Sequence, residues 1–160
     1  MAANTGRTTE KWVDFRVDDS GGTLRSIPVD SINGVGLDYD ETELTAFQDT
    51  IKGVLPAMAN CQITITGPFD SSVVASAGTL SGSHTVLYNL PGGVTPLSLD
   101  VQFGVRHAYD TEPQFGITST AANGFLCKSY QVDPKGVKYT AVFVVAAGSA
   151  APAWGLAAEA

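Results

Sequence analysis

The chain has 160 residues, 44% hydrophobic and only 16% charged, with a formal net charge of −7. That length suits one domain with a real core, and the acidic balance argues against the basic patch on which ordinary nucleic-acid affinity rests. No apolar run approaches the ~20 residues of a membrane span, and the start, MAANTGRTTEK, has no apolar stretch of the secretory type. The expectation is a protein made in a cytoplasm and staying soluble, with a surface of Ser, Thr, Gly and Asn rather than Lys and Glu.

In chain order, Lys11 to Asp18 alternates as a strand, Trp12, Asp14 and Arg16 against Val13, Phe15 and Val17. Asp19-Ser20-Gly21-Gly22 is a turn cluster and Thr23 to Pro28 a short return strand, so residues 11–28 read as a hairpin. Residues 31–70 read as strand, long loop, strand. From Gly36 to Thr45, Asp38, Asp40 and Thr42 share one face, and Leu37, Tyr39, Glu41 and Glu43 the other. From Cys61 to Gly67, Ile63 and Ile65 oppose Gln62, Thr64 and Thr66. The stretch between, through Gly53 and Pro56, is too long for a tight hairpin, and loops of that length are functional or mobile.

Ser71 to Ser83 reads as loop. Ser83 to Leu90 is the best helix candidate, with Ser81 or Ser83 as cap, Val86, Leu87 and Leu90 on one face, and Pro91-Gly92-Gly93 as the stop. Pro96 to Arg106 alternates, Leu97, Leu99, Val101, Phe103 and Val105 against Ser98, Asp100, Gln102 and Gly104. Phe115 to Val132 is a second long β region broken at Ala122-Asn123-Gly124. Asp133-Pro134-Lys135-Gly136 signals a hairpin into Val137 to Ala147. The C-terminal GSAAPAWGLAAEA reads as a small-residue tail carrying Trp154. Short strands, one small helix and frequent turns predict a mainly β fold: two packed antiparallel sheets, sandwich or barrel.

Little in this pattern points to catalysis. His84 and His107 have no ligand at metal spacing, and no GxSxG, HExxH or P-loop is present. The carboxylates Asp38, Asp40, Glu41, Glu43, Asp49, Asp70, Asp100 and Asp110 read as solvated strand faces rather than a glycosidase pair. Cys61 and Cys127 read as buried thiols, with a disulfide left open. The expectation is no enzyme, no metal and no cofactor. Trp12 and Trp154 are candidate interface aromatics.

The run ELTAFQDTIKGVLPAMANCQITITGPFD resembles a segment of tailed-bacteriophage tail tube (major tail) proteins of the long-tailed type. There an acidic strand enters a Thr-x-Phe-x-Asp turn, an arm-like loop follows, and a strand ends in Gly-x-Phe-Asp. GFLCKSYQVD and APAWG are similar to later stretches of the same proteins, and the likeness spans about residues 11–155. Gln48 departs from it, since Gly is common there. The resemblance implies two packed sheets flanked by a helix, a fold shared with type VI secretion tube proteins. It also implies a hexameric ring whose sheets join into one inner barrel, and stacking of rings into a tube. On that reading residues 1–10 are a flexible N-terminus, 11–155 the domain and 156–160 a tail.

The resemblance further implies a structural virion protein of the phage tail, assembled in the host cytoplasm, whose lumen conducts DNA without binding its sequence. Its partners would be itself, a tape measure protein, a tail terminator and distal tail or baseplate proteins, with no membrane. The lumen candidates from alternation are Asp38, Asp40, Gln62, Thr64 and Thr66; acids there would repel phosphates, whereas basic groups would bind them. The arm Gln48 to Asn60 is too apolar for free solvent, so Phe47, Asp49, Ile51, Val54, Leu55 and Met58 are the inter-ring candidates. Two rival readings stand beside this one. One is a secretion-system tube protein of the same fold. The other is a carbohydrate-binding sandwich with Trp12, Trp154 or Tyr109 as platforms.

Overall fold

The computed structural model describes residues 13–73, 80–104 and 113–156. Trp12, His107, Tyr109 and Asp110 lie outside the described residues. In chain order the elements are β1 (Val13–Asp18), β2 (Leu24–Ile27), β3 (Ser31–Asn33), β4 (Asp38–Glu43), β5 (Val54–Asn60), β6 (Gln62–Pro68), α1 (Ser83–Leu87), β7 (Leu99–Phe103), β8 (Pro113–Ile117), β9 (Phe125–Asp133), β10 (Lys138–Val145) and β11 (Ala153–Leu156). Three antiparallel sheets result, ordered β11-β8-β7-β1-β2, β3-β6-β10-β9 and β4-β5. None closes into a barrel.

Alternation explains the core. Phe15 and Val17 of β1, and Leu99 and Val101 of β7, fill one side of the five-stranded sheet. Ile63 and Ile65 of β6, and Tyr139, Ala141 and Phe143 of β10, fill the facing side of the four-stranded sheet. Phe15 and Phe143 meet across the layer with ring centroids 5.8 Å apart. The hairpin over residues 11–28 is present as β1–β2, held by Asp19, whose Oδ1 accepts the amides of Gly21 and Thr23. The turn after Asp133 joins β9 to β10. There Asp133 Oδ1 accepts the Lys135 amide at 3.0 Å, and Val137 takes φ 52°.

Four sequence expectations change. The loop between Thr45 and Cys61 is half strand: Val54–Asn60 pairs back on Asp38–Glu43, so the arm is a hairpin with its own sheet. The long region after Phe115 breaks through Ala122-Asn123-Gly124 as expected, but its halves lie in different sheets, β8 in the first and β9 in the second, and residues 118–124 carry the chain across. Gly124 (φ 147°) makes that crossing, where a Cβ would lie 2.8 Å from the Leu97 carbonyl oxygen. The helix ends at Leu87. Gly82 is its N-cap residue and supplies no side-chain cap, and Ser83 Oγ instead donates to the Pro68 carbonyl at 2.8 Å. The small-residue C-terminal segment holds a strand that its composition did not signal: Ala153–Leu156 pairs with β8 at the sheet edge.

Candidate self-assembly surfaces

Among the described residues, the β4–β5 arm is left uncovered by the rest of the fold. Every residue of both strands is exposed. Large apolar groups stand in solvent along its length: Tyr39, Leu44, Val54 and Leu55 are half exposed or more, and Phe47, Ile51 and Met58 are 110%, 81% and 80% exposed. A solitary exposed apolar side chain is ordinary, but a contiguous set marks an interaction site. Two-stranded ribbons are marginal alone; this one is braced at its tip. Leu44 N–H donates to the Gly53 carbonyl at 2.9 Å, Gly53 N–H to Thr45 Oγ1 at 3.2 Å, and Ala46 N–H to Asp49 Oδ2 at 2.8 Å. The Thr-x-Phe-x-Asp run therefore works locally: Thr45 and Asp49 hold the turn, and Phe47 is left pointing to solvent.

Chemistry is split between the two strands. β4, DYDETE, carries four acids in six residues, while β5, VLPAMAN, carries no charge. The register slips between Tyr39 and Glu41, so that Ala57 and Met58 together oppose Asp40 in a β-bulge, which adds twist. At the root, Gly34 (φ 85°) and Gly36 (φ 126°) supply left-handed backbone where a side chain would be strained; at Gly34 a Cβ would also lie 2.0 Å from the Gln62 carbonyl oxygen.

The lumen candidates fall on two different sheets. Gln62, Thr64 and Thr66 line the outer face of β6, as their alternation predicts. Register sets Thr64 between Asn33 and Val142, and Thr66 between Ser31 and Thr140. Gln131 and Ser129 of β9 continue those rows. Asp38 and Asp40 are not on this sheet but on the arm. The four-stranded sheet thus presents a face of hydroxyls and amides interrupted by Val142 and Val144. Its flanking charges partly cancel, Lys138 Nζ lying 2.9 Å from Asp30 and standing opposite Asp133.

Of the inter-ring candidates, Phe47, Asp49 and Ile51 lie in the turn, and Val54, Leu55 and Met58 on β5. Trp154 is 56% exposed on β11, its ring 5.1 Å from that of Phe115 and 5.8 Å from that of Phe103. His84 is held as a structural group: Nδ1 lies 3.0 Å from Tyr130 Oη, and its ring packs on Phe69, Tyr88 and Tyr130. Phe69 and Gly67 belong to the Gly-x-Phe-Asp run, which docks the helix: Asp70 N–H donates to Ser83 Oγ at 3.1 Å. Cys61 and Cys127 are buried and unbridged, and burial raises both thiols, Cys127 to about 11.

The outward face of the five-stranded sheet departs from the expectation of a solvated acidic surface. Arg16, Asp18, Asp100 and Gln102 are all buried. Arg16 forks onto Asp100, Nε to Oδ1 at 2.8 Å and Nη2 to Oδ2 at 2.9 Å, a bidentate geometry. Asp18 accepts the Ser98 amide at 2.9 Å. Burial raises the Asp18 carboxyl. It raises Asp100 too, since the nearby Asp14 and Asp18 charges oppose part of what Arg16 gives back. Among the described residues Gln102 Nε2 has no hydrogen-bond partner. No group of three or more His, Cys, Asp or Glu placed to hold a metal ion is present among the described residues. Sequence reading missed this network because its members are opposite one another only through the β1–β7 register, Arg16 against Asp100. It also missed the β9 edge, where Lys128 stands exposed at a bulge opposite β10.

No family model matches the chain, and no curated protein matches it. Solved structures do. A chain from the cryo-EM structure of an extracellular contractile injection system, the PVC sheath-tube complex in the extended state, aligns with a TM-score of 0.59 at 11% identity, covering 96% of this chain and 94% of that one. A chain from the PVC sheath/tube terminator, also in the extended state, aligns with a TM-score of 0.60 at 10% identity, over 96% and 99% respectively. At that identity the likeness is one of fold, and it extends over nearly the whole of each chain.

Proposed function

We propose that the chain is a structural tube subunit, completed by copies of itself. The observation that carries this reading is the arm: its large apolar side chains are bare in the single chain. Burial against a neighbouring copy would release roughly 25 cal/mol per Å² of apolar area. The whole-chain likeness to components of sheath-tube assemblies supports the same reading. Subunits form rings, six-membered if the phage resemblance carries over, and rings stack into a tube. The Thr- and Gln-bearing face of the four-stranded sheet, with Gln62, Thr64 and Thr66, is the candidate lumen wall. Such a wall neither binds nor strongly repels a phosphate backbone. The role is mechanical and has no catalytic residue.

In a phage tail the cargo of that lumen is the genome, and the further partners are a tape measure, a terminator and distal tail proteins. A second reading, the tube of an injection system passing protein, is favoured by the identity of the solved neighbours. Negative-stain microscopy of the purified chain at rising concentration tests the shared claim: rings or tubes support it, and a strict monomer with or without its assembly partners refutes it. Isolation of the native particle and assay of its contents for DNA then separates the two cargos.

A further inference from the structure

The open strand edges of this chain are chemically unequal. On the arm, β5 carries Pro56, which has no N–H to offer an added strand. β4 has no proline and presents Asp38, Asp40, Glu41 and Glu43. In the two larger sheets the terminal strands are β2, β11, β3 and β9. β3 has three residues, β2 and β11 four each, and Arg25 of β2 is engaged by Asp19 at 3.1 Å. β9 has nine residues, pairing with β10 on one side and, among the described residues, bridged on the other only at Phe125, by Leu97. Lys128 is exposed in its middle; Lys135 lies in the turn that follows, and at the far end Lys138 is paired with Asp30 and stands opposite Asp133.

We infer that the β4 edge of one copy adds to the β9 edge of a second, extending its four-stranded sheet by the arm. The inference rests on the self-assembly reading and specifies which edges meet. Unpaired N–H and C=O groups on both edges supply the hydrogen bonds. Charge supplies the choice. β4 against β4 would oppose acid to acid, which destabilises a ladder, whereas β4 against β9 sets acids beside Lys128. The two edges are different patches of one chain, so the contact is heterologous: it leaves one edge free at each end and continues into a ring or a filament rather than stopping at a dimer.

Reciprocal charge reversal tests the pairing. Lys128→Glu alone, or Glu41→Lys with Glu43→Lys, is expected to raise the concentration needed for assembly about tenfold by sedimentation velocity, and the combined variant to restore it. All sites are exposed, and thermal melts check that each variant folds as wild type. Independently, Asp38→Cys with Gln131→Cys, the pair set opposite by an antiparallel alignment of Glu41 with Lys128, is expected to give an oxidised ladder of covalent multimers; Cys61 and Cys127 are buried and do not contribute. If wild type assembles while the reversals assemble equally well and no ladder forms, the edges named here are wrong and the tube reading stands. If the wild-type chain never assembles, the tube reading fails and this contact with it.

Discussion

Replacing Phe47, Ile51 and Met58 together by Ser separates folding from assembly. In the single chain these side chains are 110%, 81% and 80% exposed, so folding gains almost nothing from them. Surface substitutions of this kind fall within about 0.5 kcal/mol each, and a chain of this size shifts in Tm by about 2–4 °C per kcal/mol. Against a neighbouring copy the same groups would be buried, each contributing about 2 kcal/mol. The set then amounts to about 6 kcal/mol, or roughly four decades in an association constant. Ordering and desolvation on association remove part of that; half of it still leaves about two decades. Calorimetry of dilute monomer should give a Tm within a few degrees of wild type, while sedimentation of concentrated protein should show assembly lost. The reasoning is refuted if the triple variant melts far lower, which would mean that the arm docks on its own chain, or if it assembles at wild-type concentrations.

The sandwich offers three further tests. Asp18 and Asp100 are raised by burial, so the folded chain holds their protons more tightly than the unfolded chain. Their contribution to stability therefore grows as pH falls toward 3.8, while Asp19, whose carboxyl is lowered by its hydrogen bonds and Arg25, gives up stability only below that value. Tm should accordingly hold or rise from neutral pH toward about pH 4.5, and Asp100→Asn should flatten that limb. Tyr139→Phe removes the donor to the Pro28 carbonyl at 2.7 Å and leaves a half-buried acceptor without it. The expected cost is about 1–2 kcal/mol, read as a Tm lowered by about 2–6 °C. Gly116→Ala would set a Cβ 2.1 Å from the Leu99 carbonyl oxygen, between β7 and β8. It should cost more than about 3 kcal/mol in chemical denaturation, against no measurable change for Gly155→Ala, where nothing lies within 4 Å.

What could be read from sequence was whatever a one-sided core writes into it. Ile63 and Ile65, or Leu99 and Val101, alternate with polar neighbours because one face is dry, and each pair lies in the core as that pattern predicts. β5 writes no such signal. Neither face of Val54–Asn60 is buried within the chain, so VLPAMAN has no period and its proline suggests a loop; only the opposing strand reveals it. The polar faces of β1 and β7 fail differently. Their alternation was legible, but a solvated face and a buried ion-paired face look alike until Arg16 is set beside Asp100, 84 residues away. The lumen candidates show both cases at once: three residues of one strand share a face, and two acids from the preceding region belong to another sheet.

The placement of charge bears on how such a chain can associate at all. With a net charge of −7, copies repel at long range. The acids concentrated on β4 sharpen that repulsion wherever two arms approach alike, and a contact of β4 with the proposed Lys128 edge would soften it. Range decides the balance. At about 0.01 M salt the screening length is about 30 Å, longer than the roughly 20 Å of a six-residue ribbon, so whole chains feel one another's net charge. Near 0.15 M it is about 8 Å, and only the groups at the contact are felt. Assembly should therefore increase between those salts. It should survive 1 M salt, because burial of Phe47, Ile51 and Met58 does not depend on ionic strength while the Lys128 contribution does. Steady weakening from the lowest salt upward, followed by light scattering, would instead mean that charge pairing alone joins the copies and that the apolar arm plays no part.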